Sequence, residues 1–275
     1  MKVSRRKLID NTAKILIWLS ALITVGALAW ILIHVISNGL SEINWSFLTN
    51  NPSDDEAGIF PMIISTLYIV LLSIAISTPI GVCSAIYLVE YAKPGKVVRI
   101  IRFATESLAG IPSIIYGLFG MIFFVIVLGL KFSLISGAIT LSMMVLPTII
   151  RTTEEALKAV PRSFREGSLA LGASKLRTIF KVILPSAAPG IITAIILSIG
   201  RVVGETAAVY LTAGMVPRLP TSIMDSGRTL SVHLYILAKE GISFEQADAT
   251  ALVLIIVVAL INFIANKIGA RMKRV

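Results

Sequence analysis

Residues 63–89 read IISTLYIVLLSIAISTPIGVCSAIYLV, a stretch without a single Asp, Glu, Lys or Arg. A helix needs about 20 mainly apolar residues to cross roughly 30 Å of hydrocarbon, and this run is long enough. Its apolar residues are continuous, whereas a barrel strand would alternate lipid-facing with lumen-facing residues, so the run is read as a helix. Uncharged runs recur at 15–36, 107–130, 132–150, 182–200 and 249–266. The reading is an all-α, polytopic membrane protein with about six transmembrane helices. Composition agrees. Of 275 residues 56% are hydrophobic and 15% charged, where a soluble domain carries about 25% charge to cover its surface.

The net charge of +10 points first to nucleic acid, but its distribution excludes that partner. Lys2, Arg5, Arg6, Lys7 and Lys14 precede the first span, and Lys93, Lys96, Arg99 and Arg102 lie between the second and third. Arg151, Lys158, Arg162, Arg165, Lys175, Arg177 and Lys181 lie between the fourth and fifth, and Lys267, Arg271, Lys273 and Arg274 follow the sixth. Lys131, Arg218, Arg228 and Lys239 fall on the other side, leaving Arg201 inside a span. Lys and Arg in short loops stay cytoplasmic, so both termini are expected in the cytoplasm. Residues 1–14 form a cytoplasmic segment, 15–268 the transmembrane domain and 269–275 a basic cytoplasmic tail. The apolar stretch 15–36 is longer than a signal-peptide core and no small-x-small site follows it, so it is read as the first span. Cys83, the single cysteine, is expected to be a buried, inert thiol. His34 and His233 lack metal-ligand spacing, and neither a metal nor a cofactor is expected.

Between the first two spans lies an outside loop made acidic by Glu42, Asp54, Asp55 and Glu56. Lys131 alone separates the third and fourth spans, which predicts a tight hairpin. A second outside segment, 211–248, contains Pro217, Pro220 and Gly227. Its amphipathic stretch with Leu230, Leu234, Ile236 and Leu237 is expected on the membrane surface or against a partner. Ser243 and Gln246 have capping-box spacing ahead of the last span. No repeat or soluble-domain boundary interrupts the chain.

The loop at about 151–185 is locally helical in character. Pro161 suits a first helical position, Ser163 and Glu166 have capping-box spacing, and Gly172 is placed to end a helix in the left-handed conformation. A second helix is predicted over 174–184, with Pro185 interrupting it. Composition alone reads this loop as a basic interfacial helix. Its spacing is more specific: Glu166, Gly167, Ser168, three residues, Gly172, nine residues, then Val182-Ile-Leu-Pro185. No G-x-x-x-x-G-K-[ST] stretch occurs, so the chain has no phosphate-cradling loop of that kind.

Arg201 and Glu205 interrupt the fifth span, four residues apart, on one face of a continuous helix where they could pair. An Arg at such depth costs roughly 2.5–3.5 kcal/mol on insertion scales and faces a bundle interior or a watery path. One reading is a self-neutralising pair that locks helices together. The other is an anion site, because the guanidinium fork bonds two oxygens of a phosphate or carboxylate at once. Gly200 and Gly204 leave room beside the pair. Arg102 and Glu106, near the third span, read as interfacial anchors, and Arg151 as a topology anchor.

The 166–185 spacing resembles the EAA loop of ABC-importer permeases, E-A-A-x3-G-x9-I-x-L-P, with Gly167 and Ser168 replacing the small residues. Further stretches resemble the permeases of the phosphate-specific importer: GVCSAIYLVEYA at 81–92, GIPSIIYG at 110–117, LPTIIRTTEEA at 146–156, LALGAS at 169–174 and GETA at 204–207. The resemblance covers roughly 59–268 and implies the type I ABC importer permease fold. It also implies that Glu166, Gly167, Ser168 and Gly172 dock a separate ATP-binding subunit, present as a dimer. Arg201 and Glu205 would line the phosphate path. A second, related permease, an extracytoplasmic phosphate-binding protein and membrane lipid complete the implied partners. The chain itself would not be an enzyme. Alternatives are a permease for phosphonate, sulfate or molybdate, an ion-coupled secondary transporter, and a membrane scaffold in which Arg201 is purely structural.

Overall fold

Apolar helical periods dictate nearly every element of the computed structural model, which describes residues 2–52, 58–93 and 95–272. The acidic residues Asp54, Asp55 and Glu56, and Lys273 and Arg274 of the tail, lie outside the described residues. Helix α1 (Lys2–Gly39) is followed by a short α2 (Trp45–Thr49) and by α3 (Phe60–Ile86), which a π-helical turn extends over Tyr87–Tyr91. Next come α4 (Lys96–Ala109), α5 (Ser113–Gly120) with a π-helical extension Met121–Val127, and α6 (Leu134–Ala159). The loop helices α7 (Arg162–Ala170) and α8 (Lys175–Thr178) lead through a third π-helical turn, Ile179–Ile183, into α9 (Leu184–Val203). Short helices α10 (Ala207–Thr212) and α11 (Leu230–Lys239) precede α12 (Phe244–Met272). No strand occurs among the described residues.

Among the described residues, five helical stretches are long and apolar enough to cross a membrane: Ile9–Gly39, Phe60–Tyr91, Leu134–Ala159, Lys175–Val203 and Phe244–Lys267. A sixth crossing is made only if α4 and α5, bent by 101°, are counted together. The expected single span at 107–130 is therefore corrected to an elbow. Pro112 has no N–H to continue the ladder and holds Ile111 away from helical geometry. The chain tightens instead through Gly110 N to Ser107 O at 3.2 Å and Ile111 N to Leu108 O at 3.2 Å. The second loop helix is corrected as well. Rather than ending at Pro185, it runs on into the fifth span as one helical stretch, Lys175–Val203, with Pro185 just past the π-helical turn Ile179–Ile183.

Helix α6 is the hub. Of its most apolar window 61% is buried, against 0% for α1. It packs on α3 and α9, and more lightly on α5 and α10, around Ile69, Leu141, Met144, Val145, Ile149 and Val202. The approach of α5 is close. A Cβ on Gly120 would stand 2.2 Å from Thr140 Oγ1 and 2.8 Å from Thr212 Cγ2. Overpacking such a site costs typically about 1–3 kcal/mol, so Gly120→Val is expected to lower the thermal midpoint of the detergent-solubilised protein. Gly26→Val, where nothing lies within 4 Å, is expected to leave it unchanged.

The loop carrying α7 and α8 marks the basic end of the bundle. At the other end, Gly129 and Lys131 take positive φ (68° and 56°), and Ser133 Oγ caps α6 by accepting from Ser136 N at 3.3 Å. The expected hairpin is thus formed. Helix α11 departs from expectation: Leu230, Val232, His233, Ile236 and Leu237 are buried against α12 and α3, so it is a core element rather than a surface one. Ser243 does cap α12, accepting from Gln246 N at 3.1 Å, and its hydroxyl donates to Glu245 Oε2 at 3.0 Å. Cys83 is exposed, not buried, because it faces an open groove lined also by Ile101 of α4 and Ile150 of α6. Trp18 and Trp30 of α1, 75% and 76% exposed, present the apolar surface that lipid covers in a membrane.

Candidate functional site

The fifth span stops at Val203, and this break separates the two charges expected to pair. Gly204 ends α9, Thr206 precedes α10, and no ion pair joins Arg201 to Glu205. Each charge instead complements a helix end. Arg201 sits in the last turn of α9, where the dipole favours a cation. Glu205 Oε1 accepts from Ala208 N in the first turn of α10 at 3.2 Å. Ser231 Oγ of α11 holds the break in place by donating to Glu205 O at 2.8 Å.

The break lies beside the α4–α5 elbow. Ile111 and Tyr116 of the elbow share one apolar cluster with Val202, Val203 and Ala208. A Cβ on Gly117 would stand 2.9 Å from Ala208 Cα. Tyr116, whose hydroxyl donates to Leu108 O at 2.9 Å across the elbow, lies within electrostatic reach of Arg201. Sequence reasoning missed Tyr116 and the elbow; the Gly110-Ile-Pro112 triplet was the available signal. Arg201 is exposed and has no hydrogen-bond or salt-bridge partner among the described residues, and Gly200 and Gly204 beside it are exposed too. An unpaired guanidinium exposed on a membrane helix is not tolerable against lipid. In an assembled protein that face meets water, another chain or an anion.

At the basic end, Pro161 caps α7 from outside the helix and no side chain completes a capping box, so Ser163 and Glu166 do not play that role. Gly172 takes φ +82° as expected. Glu166, Gly167, Leu169 and Leu171 are exposed, Leu171 by 91%. Ser168 turns inward, its Oγ 2.9 Å from Thr178 Oγ1, and joins α7 to α8. Between α4 and α6 opens a cavity of about 550 Å³ lined by Arg102, Glu106, Pro147, Arg151, Glu154 and Lys158 among others. Glu154 Oε1 receives both Arg102 Nη2 and Lys158 Nζ at 2.6 Å. Arg102 is therefore a latch between helices rather than an interfacial anchor. Arg151 pairs with Glu155 at 3.3 Å on the exposed surface.

On the segment at the opposite end, Arg228 Nη1 lies 3.3 Å from His233 Nδ1. Donation in that direction requires the imidazole proton on Nε2. Burial, and then the Arg228 charge, push His233 down to about 4. Above pH 6.5 the ring is neutral folded or unfolded; below it, only the unfolded chain takes the proton. Stability is thus expected to fall by up to about 3 kcal/mol as pH drops from 6.5 toward 4. A pH series of thermal midpoints checks this, and His233→Asn is expected to flatten that part of the profile.

A helical bundle in which an unpaired Arg ends one span beside a second, bent span, with a paired-helix loop at its basic end, defines a membrane permease of the type I ABC importer fold. Residues 77–274 match the family described as binding-protein-dependent transport system inner membrane component, and the chain belongs to that family. It is 36% identical to the probable ABC transporter permease protein YqgI of Bacillus subtilis, over 96% of each chain. It is 34% identical to the phosphate transport system permease protein PstA of Mycobacterium leprae, over 94% of this chain and 88% of the relative. Among solved structures, a bacterial alginate ABC transporter in complex with its alginate-bound periplasmic protein shares the fold at a TM-score of 0.66. That likeness covers 93% of this chain and 95% of that one, at 15% identity.

Proposed function

We propose that this chain and a second, related permease together form the translocation path for inorganic phosphate in an ATP-driven importer of the prokaryotic inner membrane. The observation that carries the reading is Arg201, exposed and without a partner among the described residues where the fifth span ends beside the bent α4–α5 span. Discontinuous helices that meet near the middle of a bundle leave backbone groups and charges free for a passing ligand. A guanidinium there selects an oxyanion by charge and by its two-pronged geometry. Glu205, half-buried beside the break, repels the anion and keeps its hold on Arg201 short. The names of several relatives, which are phosphate transport permeases, support phosphate over other oxyanions.

Energy enters at the basic end, which faces the cytoplasm. Glu166, Gly167 and the apolar tip at Leu169 and Leu171 protrude from the bundle, and α7 turns sharply into α8 at Gly172. That shape suits a cleft on an ATP-binding subunit, and an extracytoplasmic binding protein delivers phosphate at the other end. Phosphate-loaded binding protein is expected to stimulate ATP hydrolysis by the reconstituted complex. Equal stimulation by a sulfate-loaded or unloaded binding protein would reject phosphate as the cargo.

A further inference from the structure

Both loop helices are fastened to one residue of the second span. Glu90 lies in the π-helical turn that ends that span, its side chain 9% exposed. Its Oε1 accepts from Arg165 Nε at 3.0 Å and Nη2 at 2.9 Å, which ties the turn to α7. Its backbone carbonyl accepts from Lys175 Nζ, at the start of α8, and that ammonium stands 4.5 Å from the centre of the Tyr91 ring. Arg165 reaches further. Nη1 donates to Val160 O and Nη2 to Leu157 O, each at 2.8 Å, satisfying carbonyls that the end of α6 leaves open. One guanidinium, 20% exposed, thereby joins α7, the end of α6 and the second span.

The route matters because the spans are not attached to the loop alike. Lys175–Val203 is one helical stretch, so a displacement of α8 reaches the fifth span along its own axis. The second span is 75 residues away in sequence from Arg165 and has no such continuity. A planar guanidinium bonded at fixed angles and largely removed from water does not slip without breaking charge-assisted hydrogen bonds. Little water is at hand to replace them. A pull on α7 therefore moves the second span and the end of α6 together.

We infer that the Arg165–Glu90 pair is the joint through which displacement of the coupling helix is passed to the second span. The inference rests on the reading of this loop as the ATPase dock. The test uses the full complex in proteoliposomes and measures bound ATPase subunit, ATP hydrolysis and phosphate moved per ATP. Glu90→Gln keeps an acceptor oxygen and removes the charge; Arg165→Lys keeps the charge and removes the fork. Both are expected to retain the ATPase subunit while phosphate moved per ATP falls about tenfold, within the usual range of an intersite coupling. The exchanged pair Glu90→Arg with Arg165→Glu is expected to recover part of that loss. An unchanged ratio overturns the joint, and so does a parallel fall in binding, hydrolysis and uptake, because the pair would then only shape the loop. Gly172→Val tests the dock separately. Should the ATPase subunit stay bound to that variant, the docking reading fails and takes the joint's input with it. Should it be lost there while Glu90→Gln keeps the wild-type ratio, only the joint falls.

Discussion

Replacing Arg201 with Gln is expected to abolish phosphate accumulation while the permease still inserts, assembles and holds its ATPase subunit. Among the described residues Arg201 has no hydrogen-bond or ion-pair partner whose loss could unfold the chain, and a Cβ added at neighbouring Gly200 would meet nothing within 4 Å. The cost falls on the bound anion, which loses a charge-assisted, two-pronged contact. A fall in uptake of about 100-fold or more corresponds to about 2.7 kcal/mol of lost stabilisation in transit. Arg201→Lys keeps the charge without the fork and is expected to retain a measurable fraction of uptake. Labelled-phosphate uptake beside co-purification of the subunits separates the two effects. Wild-type uptake by the Gln variant would make Arg201 a packing residue.

The second large effect is expected at Gly172. Its φ of +82° lies where a side chain costs roughly 1–2 kcal/mol, and more for a β-branched residue. Gly172→Val would relieve that strain by changing the angle between α7 and α8. The dock would then lose its shape, while the buried bundle, none of which a Cβ at this position would meet within 4 Å, would keep its own. ATPase co-purification and ATP-driven uptake are expected to fall at least about tenfold. Glu166→Arg, which reverses an exposed charge, is expected to act in the same direction. Retention of the ATPase subunit at wild-type stoichiometry by Gly172→Val would remove the coupling role from this loop.

Much of this architecture was legible in the amino-acid order. The spans at α3, α6, α9 and α12 announce themselves as uncharged runs, because lipid tolerates little else. Gly172 was legible for the same kind of reason: only a glycine adopts its backbone angles cheaply. The elbow was not, since residues 107–130 are uniformly apolar and hydropathy says nothing about direction. Only Gly110 and Pro112 mark the bend. The Arg201–Glu205 spacing pointed to a pair because a helix brings residues four apart together. That geometry fails at Gly204, where the helix stops and each charge meets a helix end instead. Helix α11 looked like a surface element because its pattern is half polar, yet Ser231 and His233 are satisfied inside by Glu205 O and Arg228. The Glu90–Arg165 joint had no signal at all, since its partners stand 75 positions apart with α4, α5 and α6 between them.

The central claim, that this chain helps form an ATP-driven path for phosphate, is tested most directly by accumulation against a gradient. Proteoliposomes holding both permeases and the ATPase dimer, with ATP supplied on the ATPase side and the binding protein on the other, are made with ion gradients collapsed by ionophores. Concentrative uptake of labelled phosphate that stops when ATP is omitted, and that excess sulfate does not inhibit, is the expected result. Uptake that continues without ATP, or that needs an ion gradient, would contradict the account.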